Sequence, residues 1–126
     1  MALLVLKFGG TSVGTVERIE AVADKVARFK AAGDDIVVVL SAMSGETNRL
    51  TDLAQQIMEY PTPREMDVLL STGEQVTIGL LAMALKDVGL EAKSYTGTQV
   101  KILTDSAHTK ARIQHIDDAA MRADLA

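Results

Sequence analysis

The chain has 126 residues, enough for one domain with a sizeable core, and its 48% hydrophobic and 24% charged content is that of an ordinary soluble globular protein. Seventeen acidic against thirteen basic residues give a net charge of −4, which repels a polyanion, and 3% aromatic content without tryptophan argues against a stacking platform for nucleic-acid bases. The absence of cysteine excludes disulfides and thiolate metal sites, and no basic segment precedes the first apolar run, so the expectation is a cytoplasmic protein without a membrane span.

The first predicted element is a strand, Leu3 to Leu6, which leads into Lys7-Phe8-Gly9-Gly10-Thr11-Ser12-Val13-Gly14. Strand, glycine-rich turn and helix, in that order, aim backbone N–H groups and a helix N-terminus at an anion. Gly9 and Gly10 let a phosphate approach the main chain, Lys7 adds a positive charge, and Thr11 and Ser12 offer hydroxyls or cap the helix. The plainer reading is a tight turn whose glycines serve only the backbone; the lysine directly before them counts against it. A Walker A loop does not fit, because Thr15 stands where its lysine belongs. A dinucleotide fingerprint does not fit either: the second glycine comes one place early, and the next strand ends in Leu40-Ser41. What remains is a phosphate loop whose lysine precedes its glycines.

Val16, Ile19, Val22, Ala23 and Val26 form one apolar stripe and predict a helix from Ser12 to Ala32, with Gly33 as its stop. Ile36 to Leu40 is an unbroken apolar run, the mark of a strand inside a parallel sheet covered by helices, and it completes a right-handed βαβ unit. Ser41-Ala42-Met43-Ser44-Gly45-Glu46-Thr47 leaves the C-terminal end of that strand, where ligands bind in open α/β sheets. A helix from Thr47 to Tyr60 is expected to bury Leu50, Leu53, Ala54, Ile57 and Met58, and Pro61 ends it. Thr62-Pro63-Arg64-Glu65 reads as a fresh helix start, with a capping threonine, proline at N1 and glutamate at N3, followed by Met66, Leu69 and Leu70 turned inward.

Ser71-Thr72-Gly73-Glu74-Gln75 reads as an interruption, since two hydroxyl residues and a glycine suit a helix interior poorly. The next helix, Gln75 to Val88, turns Val76, Leu80, Leu81, Ala84 and Leu85 inward and ends at Gly89. Glu91 to Tyr95 reads as a strand, Val100 to Leu103 and Arg112 to Ile116 as a hairpin around Asp105-Ser106, and Asp117 as the N-cap of a final helix, Asp118 to Leu125. That helix has no following strand, and the sheet has few strands for its helices, so the expectation is a chain that stops within a domain.

Three loops are thereby expected at one edge of the sheet: Lys7 to Ser12, Ser41 to Thr47, and Ser71 to Gln75. The first suits oxyanions, and the second offers hydroxyls and backbone donors. The third places Glu74 at a helix start, where a carboxylate could bind a metal, act as a base, hold a substrate ammonium, or merely complement the helix dipole. His108 and His115 read as surface residues, Asp34-Asp35 as a solvated turn, and the methionines at 43, 58, 66, 83 and 121 as core filler. No Ser/His/Asp constellation can be assembled.

The motifs Lys7-Phe8-Gly9-Gly10-Thr11-Ser12-Val13-Gly14, Ser41-Ala42-Met43-Ser44-Gly45-Glu46-Thr47-Asn48 and Leu70-Ser71-Thr72-Gly73-Glu74-Gln75 resemble, in order, the signatures of the aspartate kinases of the amino acid kinase superfamily. The resemblance extends over the whole chain, including Ser94-Tyr95-Thr96-Gly97 and Thr104-Asp105-Ser106; Lys101, outside the three motifs, stands where a smaller residue is expected. It implies a three-layer αβα sandwich with a mainly parallel sheet, of which residues 1–126 would be the amino-terminal part. The second half, with most of the nucleotide pocket, and the regulatory ACT domains would be absent.

The resemblance also implies roles. Lys7 would be catalytic and would bind ATP phosphates with Phe8, Gly9, Gly10 and Ser41, while Thr47 and Glu74 would hold L-aspartate, Glu74 through the ammonium group. The family reaction moves the γ-phosphoryl group of Mg-ATP to the β-carboxylate of aspartate, the first step towards lysine, threonine and methionine. It uses no prosthetic group, and no protein metal site is expected in this chain. The expected partners are these substrates and further copies of the chain or the rest of the enzyme, with no nucleic acid and no membrane. An already ionised carboxylate nucleophile needs no strong base, so positioning and charge neutralisation dominate catalysis. The alternative reading is a non-catalytic module that binds a ligand or offers an interaction surface; a dinucleotide-binding module is weaker still.

Overall fold

A computed structural model describes residues 2–125. The strands β1 (Leu3–Phe8) and β2 (Asp35–Leu40) lie parallel, with Leu3 opposite Asp35 and Phe8 opposite Leu40. Helix α1 (Val16–Ala31) connects them, which is the βαβ unit expected from the two apolar runs. It starts later than expected. Thr15, rather than Thr11 or Ser12, is its N-cap, and the Thr15 hydroxyl accepts the N–H of Arg18 at 3.2 Å. It stops where glycine permits: Gly33 sits at φ 95°, and the N–H groups of Gly33 and Asp34 bond back to the carbonyls of Lys30 and Phe29.

Helices α2 (Glu46–Ile57) and α3 (Pro63–Asp87) follow. The expected break at Ser71–Gln75 does not occur, and α3 runs unbroken for 25 residues. Its local cost is offset by tertiary fit. The hydroxyls of Ser71 and Thr72 donate to the carbonyls of Val68 and Leu69, and Gly73 is buried where a larger side chain has no room. Read whole, α3 has the length and composition of a membrane span, which the reading as two helices concealed. Its stripe of Gly73, Thr77, Leu81 and Leu85 is nevertheless buried, and the helix packs against α1, α2 and β2.

The core comprises Val13, Ile19, Val22, Ala23, Val26, Leu40, Leu81 and Leu85, with Leu6, Phe8, Ile36 and Val38 packed against it from the sheet. One sheet face is therefore covered by α1 and α3. On the other, Leu3, Val5 and Val39 are exposed, so the described residues supply two of the three layers expected. Other apolar positions also differ from expectation. Leu53, Ile57, Met58, Val76 and Met83, all expected inside, lie exposed, and Val16 at the start of the α1 stripe does too. Residues 91–95 form no strand, having no partner in either sheet.

The carboxy-terminal part is a separate antiparallel hairpin, β3 (Ile102–Thr104) and β4 (Ile113–Ile116), followed by α4 (Ala119–Leu125). The Asp117 carboxylate accepts the first N–H of α4, from Ala119, at 3.1 Å, close to the expected cap. The Asp67 carboxylate on α3 anchors the hairpin loop by accepting the N–H of Thr109 at 3.1 Å and facing Nδ1 of His108 at 3.2 Å. Thr62 occupies the N-cap position of α3, but its hydroxyl makes no capping bond and turns toward the Met58 sulfur; Glu65 pairs with Arg64 instead. Asp34 accepts the N–H of Ala2, and Asp35 belongs to β2 and pairs with Lys30, so the pair is more than a solvated turn.

Candidate functional site

Parallel strands end at the same edge, so the segments after β1 and β2 must meet there. They do, through the backbone: the N–H of Ser41 donates to the Phe8 carbonyl at 3.2 Å, and that of Ser44 to the Gly10 carbonyl at 3.1 Å. The approach is so close that a Cβ on Gly10 would lie 3.0 Å from the Ala42 carbonyl oxygen. Within residues 9–14, the N–H groups of Ser12, Val13 and Gly14 bond to the carbonyls of Gly9, Gly10 and Thr11 in successive turns. Those of Gly9, Gly10 and Thr11 take no part in these bonds, and a Cβ on Gly9 would meet nothing within 4 Å. Gly9 thus presents open main chain at the sheet edge.

Lys7 is the last outward-facing residue of β1, exposed on the side of the sheet away from the helical core. Among the described residues it has no ion-pair partner. Phe8 points the other way. Its ring packs against the core, so only its main chain reaches the site. In the second segment Ser41 and Ser44 have spent their N–H groups on the first, leaving fewer backbone donors there than the sequence suggested.

The third segment reaches the same place from inside α3. A Cβ built on Gly73 would lie 2.8 Å from the Cβ of Ala42 and 3.5 Å from Cγ of Glu46, so α3 presses against both ends of the second segment. Beside these contacts stand Thr47, exposed on the first turn of α2, and Glu74, exposed on α3. Glu74 is thus mid-helix rather than at a helix start, and the dipole argument for it no longer applies. Among the described residues its carboxylate has no ion-pair partner.

Sequence reasoning passed over two participants. Thr77 is fully buried, with its hydroxyl 2.9 Å from the Ser41 carbonyl and 3.1 Å from that of Glu74. The signal was present: a lone hydroxyl at four-residue spacing in the stripe Gly73, Leu81, Leu85. Arg49 is the other. Its guanidinium donates to both carboxylate oxygens of Glu46, at 2.6 and 3.0 Å, and that bond holds the Glu46 carboxyl below the ordinary glutamate range. Among the described residues no cluster of three or more His, Asp or Glu side chains is arranged to hold a metal ion.

The arrangement joins open glycine main chain, an unpaired lysine nearby and an unpaired carboxylate on an abutting helix. It can receive an oxyanion at one end and a cation at the other. A model described as the amino acid kinase family matches residues 2–126. An aspartokinase from Pseudomonas aeruginosa is 74% identical over 125 residues, covering 99% of this chain and 30% of that protein. An aspartate kinase from Pseudomonas fluorescens is 72% identical over 127 residues, with 99% and 31% covered. The chain thus spans about 30% of the length of these curated relatives.

Among solved structures, aspartate kinase from Synechocystis superposes with a TM-score of 0.75 at 58% identity, over 78% of this chain and 17% of that one. Aspartokinase III of E. coli in complex with aspartate and ADP also gives a TM-score of 0.75, over 90% of this chain and 35% of that one. At 22% identity the second likeness is one of fold.

Proposed function

This chain belongs to the amino acid kinase family, and on that premise we propose that it is the amino-terminal part of an aspartate kinase catalytic domain. The proposed enzyme is a cytoplasmic homo-oligomer that transfers the γ-phosphoryl group of Mg-ATP to the β-carboxylate of L-aspartate. The observation that carries this reading is the convergence of the Gly9–Gly10 turn, the Ser41–Thr47 segment and the Gly73–Thr77 turn of α3.

An aspartate β-carboxylate oxygen attacks the γ-phosphorus, the bond to the β,γ-bridging oxygen breaks, and ADP leaves with the electron pair. The products are ADP and an acyl phosphate, and no proton need be removed from the nucleophile. The groups proposed here match that demand. Lys7 neutralises charge spreading over the transferred phosphoryl oxygens, the main chain of Phe8, Gly9 and Gly10 borders them, and Ser41 lies beside the phosphates. Thr47 and Glu74 hold the acceptor, Glu74 as counter-ion to the ammonium group. Magnesium arrives as part of the nucleotide substrate. The remaining nucleotide contacts and any regulatory domains are assigned to sequence beyond this segment.

The test is an ADP-release assay on the complete enzyme carrying this segment, with Mg-ATP and L-aspartate and with the acceptor omitted. Aspartate-dependent release is expected. Saturable binding of NAD by the protein, without release of ADP in the presence of aspartate, would favour the dinucleotide module instead.

A further inference from the structure

We infer that Thr77 is a positioning residue for the proposed transfer, its buried hydroxyl holding the Ser41 segment in register with the turn of α3 that carries Glu74. This rests on the reading of the site given above. Among the described residues Thr77 is the one buried polar side chain, with no exposed surface. The other buried positions of its stripe are glycine and leucine, and a valine would fill the same volume, so packing alone does not call for threonine.

What threonine adds is a donor. Its single hydroxyl proton faces two acceptors, the carbonyls of Ser41 at 2.9 Å and Glu74 at 3.1 Å. The Glu74 carbonyl lies within a helix, where the N–H four residues on is its regular partner. The Ser41 carbonyl lies beyond the end of β2 and has no such partner by geometry. The Thr77 bond is therefore a cross-link between separate elements, 36 residues apart in sequence.

Ser41 is held from both sides. Its N–H is tied to the Phe8 carbonyl at 3.2 Å and its C=O to Thr77, so one residue joins the end of β1, the exit of β2 and the middle of α3. In the proposed reaction the first two carry the phosphates and the third carries Glu74, the contact to the acceptor. Thr77 touches neither substrate. It acts through Ser41 and Glu74, setting the separation of donor and acceptor sides on which in-line transfer depends.

The experiment uses the complete enzyme and compares Thr77→Val, which keeps the volume and removes the donor, with Thr77→Ser, which keeps the donor. Assayed well below its melting temperature, the valine variant should lose about ten- to a hundredfold in kcat, the scale of a misplacement near one ångström. The serine variant should recover most of that loss. A purely structural role lowers Tm while leaving turnover per folded molecule unchanged, so full kcat in the folded valine variant overturns the inference. If that variant does not fold, Thr77→Ser against Thr77→Ala decides, since these two differ only in the hydroxyl: a lower kcat in the folded alanine variant supports the inference and equal kcat overturns it. Absence of aspartate-dependent turnover in the unmodified enzyme removes the reading of the site, and the inference with it. Normal turnover in both the unmodified and the folded valine proteins removes the inference alone.

Discussion

Gly73 of α3 and Ala42, just past the end of β2, meet so closely that a Cβ on the glycine would lie 2.8 Å from the alanine Cβ. No real pair of such atoms sits that close, and neither belongs to a flexible side chain that could swing aside. The contact presses the middle of a 25-residue helix against the segment between the two halves of the candidate site.

Gly73→Ala sets two effects against each other. Alanine in a helix interior is favoured over glycine by about 1 kcal/mol. Overpacking a tight contact costs about 1–3 kcal/mol, and here the backbone of α3 or of residues 41–45 must move. The net expectation is destabilisation by up to about 2 kcal/mol, together with a raised aspartate KM, because Glu74 is displaced with the helix. Urea melts of the variant check the first part, and a variant about 1 kcal/mol more stable than the parent, the gain of alanine in an unobstructed helix, contradicts the contact.

The same contact shows what could be read from sequence and what could not. The βαβ unit was legible because Leu3–Leu6, the α1 stripe and Ile36–Leu40 carry their periods locally, and Gly33 and Gly89 mark helix ends by needing positive φ. The meeting of the Gly9–Gly10 and Ser41–Thr47 segments followed from parallel topology. The continuity of α3 was not legible: Ser71-Thr72-Gly73 is a poor helical triplet, and only Ala42, 31 positions away, explains the glycine. The burial of Ile57 and Met83 was misjudged for a related reason, since an apolar stripe records that a face is to be covered but not by what.

Gly9 and Gly10 should separate fold from function. A Cβ on Gly10 meets the Ala42 carbonyl oxygen at 3.0 Å and the Ser44 nitrogen at 3.3 Å, both backbone atoms. Gly10→Ala should therefore destabilise the protein by about 1–3 kcal/mol. A Cβ on Gly9 meets nothing within 4 Å, so Gly9→Ala should leave stability within about 0.5 kcal/mol. In the complete enzyme it should still weaken catalysis, because the methyl occupies space assigned to phosphate. Chemical denaturation beside the ADP-release assay tests the pair; full activity in Gly9→Ala would remove the phosphate role from this turn.

Lys7 stands on the exposed side of β1 without an ion-pair partner among the described residues, so little of the fold depends on its charge. Lys7→Ala should change stability by no more than about 0.5 kcal/mol. It should lower kcat by at least about a hundredfold, the scale of losing one preorganised stabiliser of transition-state charge, with a much smaller effect on the aspartate KM. Lys7→Arg should restore only part of the loss, since a planar guanidinium does not reproduce a compact ammonium. Steady-state kinetics on variants of matched stability decide the matter, and near-normal turnover in the alanine variant would end the assignment.

The last prediction concerns pH and the start of α2. Arg49 donates to both oxygens of Glu46, and this hydrogen bonding is the main cause that lowers the Glu46 pKa; desolvation opposes it, and the charge of Arg49 adds to it. Because the folded carboxyl binds its proton less tightly than the unfolded one, folding gains from the pair only while Glu46 is ionised. The gain is complete above the unfolded pKa and is lost as pH falls through the lower, folded value. The pair is solvent-exposed, so the gain is small and salt should weaken it further. Arg49→Ala should raise the Glu46 midpoint toward that of an ordinary glutamate, as followed by NMR of its side-chain carboxyl carbon. The stability difference between the two proteins, present at neutral pH, should close as the solution is acidified past the Glu46 midpoint. If the midpoint is the same with and without Arg49, the pair does not form in solution, and the Glu46 stem that abuts Gly73 is held by packing alone.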